Sequence, residues 1–113
     1  DRPVMVSSES VVGSSICLTT KSKHKYWSPD RNDREPCIIL DLENCYESFE
    51  VNISQPIFRK TNYNIFFSTD KENWTAISLN TKARKIKTKN EARYIKIAVS
   101  ENVKIKKIKI FEI

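Results

Sequence analysis

At 113 residues the chain is long enough for one hydrophobic core and too short for two. Hydrophobic residues at 39% and charged residues at 30% exclude a disordered chain, and no apolar run reads as a membrane span or an opening signal peptide. The net charge of +6 is concentrated: residues 81–113 hold eleven Lys and Arg against three Asp and Glu, whereas residues 1–80 hold nine against eleven.

Period-two alternation in short runs rich in β-branched and aromatic residues dominates the chain. Val4-Met5-Val6 opens it, and a polar Ser and Glu stretch follows. Cys37 to Leu42 is a nearly continuous apolar run, which predicts a strand covered on both sides. Ser48 to Ile53 alternates cleanly and sets Phe49, Val51 and Ile53 on one face. Tyr63 to Ser68 and Trp74 to Leu79 are the next strands, with Trp74 packing partly against the sheet after a hairpin turn at Thr69 to Asn73.

Tyr94 to Val99 places Ile95, Ile97 and Val99 together and Lys96 on the opposite side. Val103 to Lys106 and Lys107 to Ile110 alternate out of phase, which predicts a β-bulge at Lys106-Lys107. Other turn signals are Ser28-Pro29-Asp30, Asn32-Asp33, Gln55-Pro56 and Lys89-Asn90-Glu91. About eight short strands without a long amphipathic helix indicate an all-β fold, a two-layer antiparallel β-sandwich or jelly roll, in a single domain over 1–113. Because the first residue is Asp1, excision or processing from a larger multidomain protein is expected.

Gly13 is the only glycine, so Asp70, Asn80 and Asn90 are the residues expected at positive φ. Cys17, Cys37 and Cys45 are odd in number and irregular in spacing. One disulfide with a free thiol fits, but three buried thiols acting as small hydrophobes fit better. With His24 as the only histidine, no zinc set is complete.

Five segments, in order, resemble the discoidin-like, galactose-binding-like family. They are Val6-Ser7-Ser8 with Tyr26-Trp27-Ser28; Ile39-Leu40-Asp41-Leu42; Tyr63 to Asp70 with Asn73-Trp74-Thr75; Ala92-Arg93-Tyr94-Ile95-Lys96-Ile97; and Ile108 to Glu112. Ser54-Gln55-Pro56-Ile57 through Tyr63 is most similar to the versions attached to bacterial glycoside hydrolases. The resemblance implies a jelly roll whose loops at one end bind ligands. It also implies a structural calcium held by an Asp-Gly pair before the Trp segment. Here that stretch is Leu18-Thr19-Thr20-Lys21-Ser22-Lys23, which has two cations and no carboxylate, so the calcium site is expected to be lost and no cofactor is expected. The terminal disulfide of the animal relatives has no counterpart in these cysteine positions.

Sugar recognition needs an aromatic platform and a few placed polar groups. The segment from His24 to Arg34 supplies both, with Tyr26, His24, Arg31, Asn32 and Arg34 as candidates and Trp27 read as core. The connection Pro56 to Asn62, which the resemblance places near the binding end, adds Phe58, Arg59 and Asn62; Phe58 either stacks on a sugar or caps the core. Lys85, Lys87, Lys89, Lys96, Lys104, Lys106, Lys107 and Lys109 suggest a basic sheet face, read first as protection against aggregation. Only Tyr94 and Phe111 are interleaved with them, which argues against nucleic acid.

Paired catalytic carboxylates, a phosphate-cradling Gly-rich loop and a G-x-S-x-G elbow are all missing, so no enzyme is expected. The expected role is a monomeric, non-catalytic carbohydrate-binding accessory module of an extracellular, cell-surface or periplasmic glycoside hydrolase. Its partners would be carbohydrate and the catalytic domain of the same parent chain, rather than nucleic acid or membrane. The rival roles are a structural domain that packs on a catalytic neighbour, and a basic surface that binds polyanions or anionic lipid.

Overall fold

The computed structural model describes residues 3–56, 61–100 and 102–113. Strands β1 (Val4–Val6), β2 (Cys37–Tyr46), β3 (Phe49–Ser54), β4 (Tyr63–Ser68), β5 (Thr75–Thr81), β6 (Lys85–Thr88), β7 (Ala92–Ala98) and β8 (Lys107–Glu112) are joined by one 3₁₀ turn at Ser14–Leu18. They form two antiparallel sheets, a five-stranded one in the order β1-β2-β7-β4-β5 and a three-stranded one in the order β6-β3-β8.

The core between the sheets follows from the alternation. β3 contributes Phe49, Val51 and Ile53, β2 contributes Ile38, Leu40 and Leu42, β7 contributes Ile95 and Ile97, and β8 contributes Ile108 and Ile110. Each such side chain, fully withdrawn from water, stabilises the fold by about 1.5–3 kcal/mol. Trp27 is completely buried, as the sequence predicted, and Trp74 is half-buried with the Lys96 ammonium 4.9 Å from its ring centroid.

Several expectations are corrected. β2 is covered on one face only: Cys37, Ile39 and Asp41 are half-buried, because an antiparallel sandwich leaves the outer face of each sheet to solvent. Ile39 keeps its partial cover from its ladder partners Met5 and Lys96. The phase slip at Lys106-Lys107 is not a bulge within one strand. Ile105 pairs with Trp27, the chain then moves to β3, and the β3–β8 register runs unshifted from Lys107 to Glu112. The irregularity in the β2–β7 ladder lies in β2, between Asp41 and Tyr46.

Of the three residues expected at positive φ, Asn80 is there at 52°, whereas Asp70 and Asn90 are not; Lys71 (70°), next to Asp70, and Glu43 (69°) in β2 are. Asp70 serves its turn through its side chain instead. Its Oδ1 accepts hydrogen bonds from the Ser68 hydroxyl (2.8 Å) and the amides of Glu72 (2.9 Å) and Asn73 (2.8 Å), and its Oδ2 accepts from Asn73 Nδ2 (2.7 Å). Such bonds offset the left-handed strain at Lys71. The cysteines are unpaired, but only Cys17 is buried; Cys37 is half-buried and Cys45, within the β2 irregularity, is exposed.

The amides of Asn73 and Glu72, with the Asn73 and Ser68 side chains, hold the Asp70 carboxyl well below the usual carboxylate range. A depressed carboxyl stabilises the fold above its unfolded value of about 3.9 and loses that contribution as pH falls toward its folded value. Asp70→Ala is therefore expected to lower the melting temperature at pH 7, and the gap from wild type is expected to close below about pH 4. Thermal unfolding followed from pH 2 to 8 checks this.

Candidate functional site

β2 and β4 begin, and β5 and β7 finish, at one end of the larger sheet, where Cys37 and Asn64 both pair with Ala98 and Tyr63 pairs with Thr81. The chain leaves β3 and enters β8 at the same end, with Ser54 opposite Lys107. Of the described residues, this end therefore gathers 7–36, 55–56, 61–62, 82–84, 99–100 and 102–106. Loops on a rigid sandwich are the natural place for a binding site.

The long connection from Ser7 to Pro36 has little regular structure and is ordered by side chains. Ser7 exchanges hydrogen bonds with Cys37, its amide donating to the Cys37 carbonyl and its hydroxyl accepting from the Cys37 amide, each at 3.0 Å. The Asp33 carboxylate accepts from the Ser7 hydroxyl (2.5 Å) and the Ser8 hydroxyl (2.6 Å), and these two bonds hold its carboxyl below the usual carboxylate range. The Trp27 indole N–H donates to the Ser8 carbonyl at 3.0 Å. Trp27 and Ile105 exchange two backbone hydrogen bonds of 2.8 and 2.9 Å, which fasten the 24–34 segment beside residues 102–106.

The seam between those segments opens into a hollow of about 390 Å³. Ser10, Ser28, Asp30, Arg31, Asn102 and Lys104 supply its polar wall, and Pro29 and Val103 its apolar part. Two hydroxyls, a carboxylate, an amide, a guanidinium and an ammonium around a small apolar surface suit a polyhydroxylated ligand. The wall is braced from within, since Ser10 and Ser28 join through their hydroxyls and, separately, their backbones, each at 2.9 Å. The Asp30 Oδ1 accepts the Asn32 amide at 3.1 Å.

The structure brings some of the predicted residues to this hollow and leaves others apart. Arg31 lines it. Tyr26, 38% exposed, stands beside it with the Lys104 ammonium 4.6 Å from its ring centroid, a cation–π contact that covers one face of the ring. Asn32 and Arg34 are exposed outside it. His24 is half-buried, its amide donating to the Ser22 hydroxyl at 3.0 Å. Asn62 lines a separate hollow of about 300 Å³ with Asn80, to whose Oδ1 its Nδ2 donates at 2.6 Å. Phe58 and Arg59 lie outside the described residues. Ser10, Asn102 and Lys104 were not among the predicted site residues; the mutual hydrogen bonds of Trp27 and Ile105 bring Asn102 and Lys104 into place.

The family calcium does not fit the residues present. Leu18 to Lys23 carries no carboxylate. The nearby Glu9 carboxylate already accepts from the amides of Gly13 (2.7 Å) and Ser15 (3.2 Å). The Ser15 hydroxyl, foremost, and these amides hold the Glu9 carboxyl below its ordinary range. Among the described residues no three His, Cys, Asp or Glu side chains gather as a metal set.

No sequence-defined protein family matches the chain, nor does any characterised protein by sequence. Its fold does have solved counterparts. Module CBM32-6 of a family 89 glycoside hydrolase from Clostridium perfringens superimposes with a TM-score of 0.74 at 21% identity, over 98% of this chain and 93% of that one. Module CBM32-5 from the same organism, solved with GalNAc-β-1,3-galactose, gives a TM-score of 0.70 at 17% identity over 97% and 94% of the two chains. A pectin-binding carbohydrate-binding module gives 0.70 at 22% over 96% and 88%. The chain has the fold of these modules, the two-layer antiparallel β-sandwich expected from its sequence.

Trp27→Phe keeps the buried ring but removes the N–H that ties Ser8 to the loop. The substitution is expected to cost about 1–2 kcal/mol of unfolding free energy, for the unpaired Ser8 carbonyl and the lost volume. Urea denaturation of the two proteins measures it.

Proposed function

We propose that this chain is a non-catalytic carbohydrate-binding module whose ligand seats in the hollow between Ser28-Arg31 and Asn102-Lys104. The observation that carries the reading is that hollow, a braced set of hydroxyl, amide and charged groups at the loop end of the sandwich. Its volume lies at the small end of ligand sites, which run from about 300 to 1,000 Å³, and suits one or two sugar rings. Support comes from counterparts of the same fold that are modules of glycoside hydrolases, one of them solved with a bound disaccharide.

In this reading the module is a monomer without calcium. It works outside the cytoplasm and holds a catalytic domain of its parent chain near a polysaccharide by raising the effective concentration. No helix among the described residues is long and apolar enough to cross a membrane. A packing role against a neighbouring domain has one observation in its favour: Val11 (55%), Val12 (92%) and Ile16 (51%) are exposed on one loop.

A glycan array probed with the isolated domain at low and physiological salt tests the proposal. A neutral sugar is expected to bind without strong salt dependence, with Arg31→Ala and Asn102→Ala each weakening it about tenfold. Absence of any sugar ligand would leave the packing role in its place. Calcium and chelator are both expected to leave the melting temperature unchanged, as read by thermal unfolding with each.

A further inference from the structure

The outer face of the three-stranded sheet carries a second feature that the loop-end site does not use. On β8 the side chains of Lys107, Lys109 and Phe111 alternate with buried Ile108 and Ile110, and on β6 Lys85 and Lys87 alternate with Ile86. Asn52 of the central strand pairs with Lys85 on one side and Lys109 on the other. Two strand spacings of about 4.8 Å separate those lysines, and about 7 Å of strand separates Lys107 from Lys109. Glu50 is the one carboxylate among the outward positions of these strands. It lies toward the far end with Lys87, the two 4.0 Å apart.

The face is hollowed rather than flat. A recess of about 480 Å³ is lined by Lys85, Lys107, Lys109, Asn52 and Phe111 among others. It shares Ile53, Ser54 and Arg84 with a second recess of about 260 Å³, where Lys82 and Lys106 join Arg84 around Tyr63. Backbone bonds hold this junction, with the Ile53 amide donating to the Arg84 carbonyl (2.9 Å) and the Lys106 amide to the Ser54 carbonyl (2.7 Å). Six cations and no carboxylate line the two adjoining recesses among the described residues. Two polar atoms there, Asn52 Oδ1 and the Tyr63 hydroxyl, are shielded from water and have no hydrogen-bond partner among the described residues.

We propose that this groove binds a carboxylated polysaccharide, a chain of uronate residues, at a site separate from the loop-end hollow. Repeating carboxylates complement a row of cations spaced along and across strands. Phe111, 48% exposed at one margin, offers one ring face to a pyranose. A single-stranded nucleic acid would need a series of stacking rings, and the groove has only Phe111 at its rim.

The test is binding of the 113-residue domain to polygalacturonate, with neutral dextran and a dT20 oligonucleotide for comparison, from 20 to 300 mM salt. Polygalacturonate is expected to bind, more weakly as salt rises, and Lys85→Gln/Lys107→Gln/Lys109→Gln to lose roughly tenfold or more of the affinity and flatten the salt slope. Arg31→Ala, which alters the other site, is expected to leave this binding unchanged. Lys109→Glu provides a second variant with a single exposed change, expected to weaken binding in the same direction. Equal binding by the triple variant, equal binding of dextran, tighter binding of dT20, or no binding at low salt would each overturn the proposal.

Discussion

Trp27 reaches no solvent, its indole N–H is committed to the Ser8 carbonyl, and its backbone is paired with Ile105. Those three ties join segments far apart in the chain at a point where neither belongs to a continuous sheet. A connection as long as Ser7 to Pro36 loses much conformational entropy when it is ordered. The burial of one large ring, with Leu18 and Cys17 beside it in the core, is the compensation that makes an ordered loop stable. The serine and carboxylate bonds around it, Ser7 and Ser8 to Asp33 and Glu9 to Gly13 and Ser15, fix the path of the chain on either side. The 390 Å³ hollow between residues 28–31 and 102–104 is positioned by that anchor.

The two sheets use the same basic residues differently. On the larger sheet the cations lie against aromatic rings: Lys96 is 5.4 Å from the Phe66 centroid and 4.9 Å from that of Trp74, and Arg93 is 5.2 Å from that of Tyr94. Arg93 also grips Asp41 at 3.1 and 3.3 Å, holding that carboxyl below its ordinary range. On the smaller sheet Lys85, Lys107 and Lys109 line an open groove around Asn52. Cations over rings cover apolar surface, as lysines on exposed sheets commonly do. Cations massed in a hollow without carboxylates create a local field that attracts anions. The expectation of one basic face spanning all eight lysines therefore breaks up, with Lys96 and Lys104 in cation–π contacts, Lys87 beside Glu50, and Lys85, Lys106, Lys107 and Lys109 on the recesses.

Much of the sandwich was legible before any coordinates. β4 runs from Tyr63 to Ser68 as the alternation predicts, and β3 differs by one residue at each end. Such agreement is expected because alternation records a local fact, that every second side chain of a half-buried strand faces the core. β6 escaped because Lys85–Thr88 holds one apolar residue, Ile86, and alternation cannot be read from a single position. Val103 to Lys106 looked like a strand because Val103 and Ile105 are both buried, yet only Ile105 is paired, and with Trp27.

The sequence by itself determined the layers of this protein, the inward faces of its principal strands and the burial of Trp27, because these depend on the period of apolar residues and on the cost of exposing a large ring. It also concentrated the positive charge in the last third of the chain. Only the tertiary structure decided which polar residues meet. Arg31 lies in a wall with Asn102 and Lys104, and Asn52 and Tyr63 sit among six cations, because strand register and the Trp27–Ile105 pairing bring distant segments together. Register is a property of paired backbones, and no periodicity within one segment encodes which neighbour it will face.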